Sequence, residues 1–128
     1  MIKVYVKKTS NYPVSVKEIK KNLRTLLEQR GIVSNTEVSV ALVSEKVMLD
    51  LTKKYLKDNR MHSVLSFPSS ETKKKFVFPT DGVIRLGEIA VCYPRAIEEA
   101  NKEGELIEKK IQSLIEHGAL HLIGIHHE

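Results

Sequence analysis

Four of the chain's five histidines lie in its closing stretch, HGALHLIGIHHE. His117 and His121 stand four residues apart, a spacing that on a helix puts two side chains about 40° apart around the axis and one turn apart along it. Two neutral imidazoles so placed can share one ion at about 2.0–2.1 Å each. Gly124 comes three residues after His121, where a helix can end in a left-handed residue and the chain can reverse. A reversal there returns His127 as a third ligand. Three protein ligands leave one position open for water, which is the catalytic arrangement of zinc, although imidazole also suits nickel. The other account of the stretch is a helix end whose imidazoles meet carbonyls and the helix dipole. Three histidines around a glycine favour the metal. His126 is either a fourth ligand, a partner to a ligating imidazole or a solvent-facing side chain.

These residues need elements to hold them. IKVYVKK alternates as a strand, with Ile2, Val4 and Val6 on one face. SVKE at Ser15 to Glu18 is a capping box, and Ile19, Leu23, Leu26 and Leu27 follow at helical spacing until Gly31. EVSVALV alternates again, and Ser44 then caps a helix carrying Val47, Met48, Leu51 and Tyr55. VLSF is a short strand that Pro68 ends. Ser69 to Arg85 reads as a loop or hairpin excursion with a PTDG turn. LGEIAV is a further strand, Pro94 opens a helix, and Gly104 breaks it. Leu106, Ile107, Ile111, Leu114 and Ile115 carry a last helix into the histidines. The order predicts one α/β or α+β domain over residues 1–128, with helices packed on one sheet.

Composition narrows the class. Hydrophobic residues make up 41% and charged residues 29%, as in a folded globular domain. No apolar run approaches the roughly 20 residues of a membrane helix, and MIKVYVKK lacks the apolar stretch of a signal peptide. The single cysteine, Cys92, excludes an intrachain disulfide, makes a disulfide-linked partner unexpected and points to the cytoplasm. As a residue following an apolar strand it reads as a small core side chain. Lys and Arg outnumber Asp and Glu by 21 to 16. Each lysine cluster alone reads as a solvated face, while their sum leans toward a polyanion.

The histidine spacing resembles that of the metzincin peptidases, whose general base is a glutamate after the first histidine. Gly118 holds that position here and can abstract nothing. HGALHLIGIHH resembles the YbeY family instead, the metal-dependent endoribonucleases of bacterial ribosomal RNA maturation. It matches the pattern H-G-x-L-H-L-x-G-x-D-H at every fixed position but the aspartate, which is His126. VLSFP and LGEI are similar to two further family segments. The resemblance implies a mixed sheet, three histidines on one metal, usually zinc, and action on single-stranded RNA in maturation or quality control of the small ribosomal subunit. It carries the ligands to His117, His121 and His127. The chain departs from the family at Leu56, where an arginine is common, and at His62-Ser63, where Thr-Asp or Thr-Asn is usual. Members usually run on past the last histidine.

A ribonuclease of this kind needs activated water and a cation on the phosphate. With Leu56 apolar, the candidate cations are Lys57, Arg60 and Arg85, and Arg60 stands four residues on. Glu88 is the candidate base or partner to a ligating imidazole. Ser66 is a candidate hydrogen-bond donor to a phosphate oxygen. His62 reads as a surface residue unless the fold returns it to the cluster. Two other classes stay open: a non-catalytic, metal-stabilised RNA- or ribosome-binding module, and a metallohydrolase of a small molecule.

Overall fold

The computed structural model describes residues 1–69 and 82–127, the last three as backbone alone. The lysines Lys73 to Lys75, Phe76, Phe78 and most of the PTDG turn lie outside the described residues. Strand β1 (Ile2–Lys8) buries Ile2 and Val4 and exposes Lys3, Tyr5 and Lys7, as its alternation requires. Helix α1 (Val16–Gln29) begins where the Ser15 hydroxyl accepts the Glu18 amide, and it buries Ile19, Leu23, Leu26 and Leu27. Strand β2 (Thr36–Val43) follows, then α2 (Glu45–Leu51), capped in the same way by Ser44 on the Val47 amide. α2 loosens into a π-helical turn over Thr52–Leu56 and stops at Lys57, whose φ of 55° is left-handed.

Strand β3 (Val64–Pro68) and strand β4 (Ile84–Cys92) come next. β4 begins earlier than expected and takes in Arg85, which therefore belongs to the sheet and not to the excursion. Its partner supplies the reason: Glu37 and Arg85 are in register across β2 and β4. Pro94 opens α3 (Tyr93–Glu103), and Gly104, at φ 65°, ends it. The last helix, α4, spans Ile107–His127.

The sheet order is β1-β2-β4-β3, with β1, β2 and β4 parallel and β3 antiparallel on the edge beside β4. The fold is thus α+β on a mixed sheet. Pro68 is tolerated in β3 because an edge strand can spare a donor. One sheet face carries the main core, where Leu23, Leu27, Val40, Ile89, Ile115, Ala119 and Leu122 join α1 and α4 to the strands. The other face carries a smaller one, where Met48 of α2 meets Ala41, Val43, Leu65, Ala90 and Cys92. Cys92 is buried, and burial pushes its thiol pKa up, as suits a core side chain.

Two glycines let these layers close. A Cβ on Gly118 would stand 2.7 Å from the Ile89 side chain, so α4 can lie this close to β4 only at a glycine. Gly87 sits at φ 137°, and a Cβ there would strike the Phe67 carbonyl at 2.1 Å. It lies beside the register shift between β2 and β4, where the strand needs a bulge.

Candidate metal centre

The α4 sequence puts Ile111, Ile115, Ala119 and Leu122 on its buried side. His117 and His121 fall on another stripe, shared with Lys110 and Leu114 by 3.6-residue periodicity. The two rings meet edge to face with centroids 4.7 Å apart, and their Nε2 atoms are 3.2 Å apart. Two nitrogens bound to one tetrahedral ion at about 2.0–2.1 Å stand about 3.3–3.4 Å apart. The pair therefore fits a shared divalent ion with almost no movement. Without an ion, the same distance suits one Nε2–H donating to the other ring, a tautomer choice that a metal would override.

The third ligand was expected to return on a turn at Gly124, and that turn is absent. α4 continues through Gly124 to His127, and Gly124 keeps an ordinary φ. A glycine permits a left-handed turn without imposing one, and among the described residues nothing lies within 4 Å of where its side chain would be. Along a continuous helix, residue 127 lies about 9 Å beyond residue 121. The His126 and His127 side chains fall outside the described residues. Among those that are described, no group of three His, Cys, Asp or Glu side chains gathers.

Of the remaining candidates, Ser66 shares a sheet face with the histidine helix. Leu65 and Phe67, its neighbours, belong to the opposite core, while Val64 packs toward α4. Glu88 does not share that face. It alternates with Ile89 of the main core, and its carboxylate pairs with Lys7 at 3.1 Å on the open side of β1. The sheet lies between Glu88 and the imidazoles. Arg60 is on the loop before β3, largely exposed, with Asp58 3.6 Å away. Arg85 pairs with Glu37 at 3.5 Å. Lys57 is exposed at the end of the π-helical turn.

Sequence reasoning missed two polar networks at the entry to β3. Asp58 accepts the Arg60 amide at 2.8 Å and lies 3.5 Å from the His62 ring. The amide bond, helped by the charges of His62 and Arg60, holds the Asp58 carboxyl below its usual range. The i,i+4 spacing of Asp58 and His62 was the available signal. Next to it, the Ser63 hydroxyl donates to Glu99, which also binds Lys110 at 3.3 Å. Partial burial pushes Glu99 up, but the bonds from Ser63 and Lys110 outweigh it and hold the pKa low. Lys110 is thus no solvated charge: Glu103 and Glu99 clamp it, and the Glu103 bond above all raises its pKa. This network fixes the entry to β3 against α3 and α4.

A concavity of about 290 Å³ lies elsewhere, between α1 and the first half of α4. It contains neither histidine, and on its walls three carboxylates, Glu18, Glu108 and Glu116, face one lysine, Lys109, a balance unfavourable to phosphate.

The fold and the imidazole pair define a class: a small α+β domain whose last helix, pressed onto the sheet at a glycine, presents two converging imidazole nitrogens. The chain belongs to the YbeY endoribonuclease family, whose model, endoribonuclease YbeY, matches residues 5–128. The endoribonuclease YbeY of Macrococcus caseolyticus is 34% identical over 110 residues, covering 86% of this chain and 71% of that one. That of Acinetobacter baumannii is 30% identical over 111 residues, covering 87% and 69%. A Thermotoga maritima protein of known solution structure superposes with a TM-score of 0.58 at 26% identity, over 93% of this chain and 71% of its own.

Proposed function

We propose that this protein is a metal-dependent endoribonuclease that cuts single-stranded RNA during ribosomal RNA maturation or quality control of the small subunit. The observation that carries the reading is the convergence of the His117 and His121 Nε2 atoms to 3.2 Å in a chain of this family. In this reading the two imidazoles hold one divalent ion, zinc or else nickel, and His127 completes the set. When bound, such an ion supplies positive charge and brings the pKa of water toward about 7. His127 joins if the last turn of α4 opens at Gly124.

The chain's own residues would do the rest. Ser66, on the histidine side of the edge strand, donates to a phosphate oxygen. Arg60 balances the phosphate charge, since an exposed pair such as the one with Asp58 costs little to exchange. Glu88 is left out of this set and ties β4 to β1 through Lys7. The excess of 21 basic over 16 acidic residues favours RNA as partner. Among the described residues no helix is long and apolar enough to cross a membrane, and with a single buried cysteine we place the protein in the cytoplasm.

One observation favours a second reading, the metal-stabilised binding module: Leu56 is exposed and apolar where the family commonly has an arginine. The experiment that separates the two uses end-labelled RNA, single-stranded and duplex, with zinc and with a chelator. Internal cuts in the single strand alone, abolished by the chelator and restored by zinc, are expected. Salt-sensitive binding with no cuts would hand the case to the module.

A further inference from the structure

α2 ends in a manner its sequence alone does not explain. Five consecutive residues, Lys53, Lys54, Tyr55, Leu56 and Lys57, are exposed, and they lie on and just beyond the π-helical turn. Tyr55 is 55% and Leu56 47% exposed. Wide turns and left-handed non-glycine residues such as Lys57 carry a conformational cost and gather where surfaces work.

Around the turn three lysines, Lys53, Lys54 and Lys57, stand against two acids, Asp50 and Asp58. None of its three lysines has a carboxylate partner among the described residues, whereas Lys7, Arg60, Arg85, Arg95 and Lys110 all do. The nearest acid in sequence, Asp58, is engaged by Arg60 and His62.

The aromatic ring in this basic segment is held in place. Tyr55 leans on Phe67 with centroids 4.9 Å apart, and the Lys54 ammonium rests 5.3 Å from its ring centre. Phe67 follows Ser66 on β3, the edge strand, and points to the opposite face. A strand crossing β3, the outermost strand among the described residues, would therefore pass from the Tyr55 side to the Ser66 and histidine side.

We propose that residues 53–57 form a platform for single-stranded RNA, with Tyr55 stacking on an unpaired base and Lys54 and Lys57 holding flanking phosphates. The proposal rests on the endoribonuclease reading for its choice of RNA over a protein partner. An exposed ring among uncompensated cations matches the surface that single strands require, because every base offers a π-face and every link a negative charge.

The test measures binding of a fluorescent 2′-O-methylated single strand of about twelve nucleotides, which the protein cannot cut, across a salt series. Tyr55→Leu keeps the apolar contact with Phe67 but loses the stacking face, and should weaken binding about tenfold. Tyr55→Phe should stay within about twofold of the parent. Removing both cations, Lys54→Ala with Lys57→Ala, should make the log–log salt slope shallower by about 1.4, near 0.7 per phosphate. Parental affinity in Tyr55→Leu, an unchanged slope in the lysine variant, or no binding by the parent each overturns the proposal. If the parent binds this strand but never cuts unmodified RNA, the nuclease reading falls while the platform stands.

Discussion

At the scale of single residues, the decisive positions are small or paired. Gly118 was legible in the sequence as a missing catalytic glutamate and as a fixed position of the histidine motif. Its structural role, the close approach of α4 to Ile89, depends on a contact between distant parts of the chain. Replacing it by alanine gains about 1 kcal/mol of helix propensity. It also forces a methyl against a buried, β-branched side chain, at about 1–3 kcal/mol. Gly118→Ala should therefore lower stability in urea denaturation; a more stable variant would mean that Ile89 moves aside freely. Asp58 allows a pH test. Its carboxyl is held below the ordinary value of 3.8, so the Arg60 amide bond persists above that pH and is lost as pH falls through the lower folded value. The Arg60 amide resonance should titrate with a midpoint below 3.8 and go flat in Asp58→Asn. A midpoint at or above the ordinary value would show the bond to be absent.

At the scale of elements, hydrophobic period and caps predicted most of what forms. Ser15, Ser44, Pro94 and Gly104 mark helix ends that the structure reproduces. These signals are local, and local signals survive folding. The errors came where long-range contacts decide. Pairing with β2 drew Arg85 into β4, and no contact imposed the turn at Gly124. The histidine pair was legible because one helix carries both rings. The third ligand depends on how that helix ends, and the pattern left this open. Gly124→Ala tests the point. The added methyl meets nothing within 4 Å among the described residues and should stiffen the last turn, raising helical content. If His127 is reached by opening that turn, zinc affinity should fall several-fold, about 1 kcal/mol in the binding equilibrium. Equal affinity would show that His127 is dispensable or bound without the turn.

At the scale of the whole molecule, the imidazole pair stands on a helix that the main core fastens to the sheet. The networks of Asp58 with His62, and of Ser63 with Glu99 and Lys110, fasten the edge strand beside it. Metal binding should therefore stabilise the entire fold. Zinc at a hundred times its Kd should add about 2.7 kcal/mol, seen as a rise in Tm that a chelator reverses. An unchanged Tm would mean that the ion binds native and unfolded chains alike. The central claim, that His117, His121 and His127 form a centre on which RNA cleavage depends, is tested most directly by measuring two quantities on the same preparations. These are bound metal per chain and the rate of single-strand cleavage, in the parent and in His117→Ala, His121→Ala, His127→Ala and His126→Ala. The account predicts about one ion and cleavage in the parent, with both retained largely in His126→Ala. It predicts little metal, and cleavage at least a hundredfold slower, about 2.7 kcal/mol of transition-state stabilisation, in the other three. Parental cleavage in a metal-depleted His117→Ala or His121→Ala would contradict it.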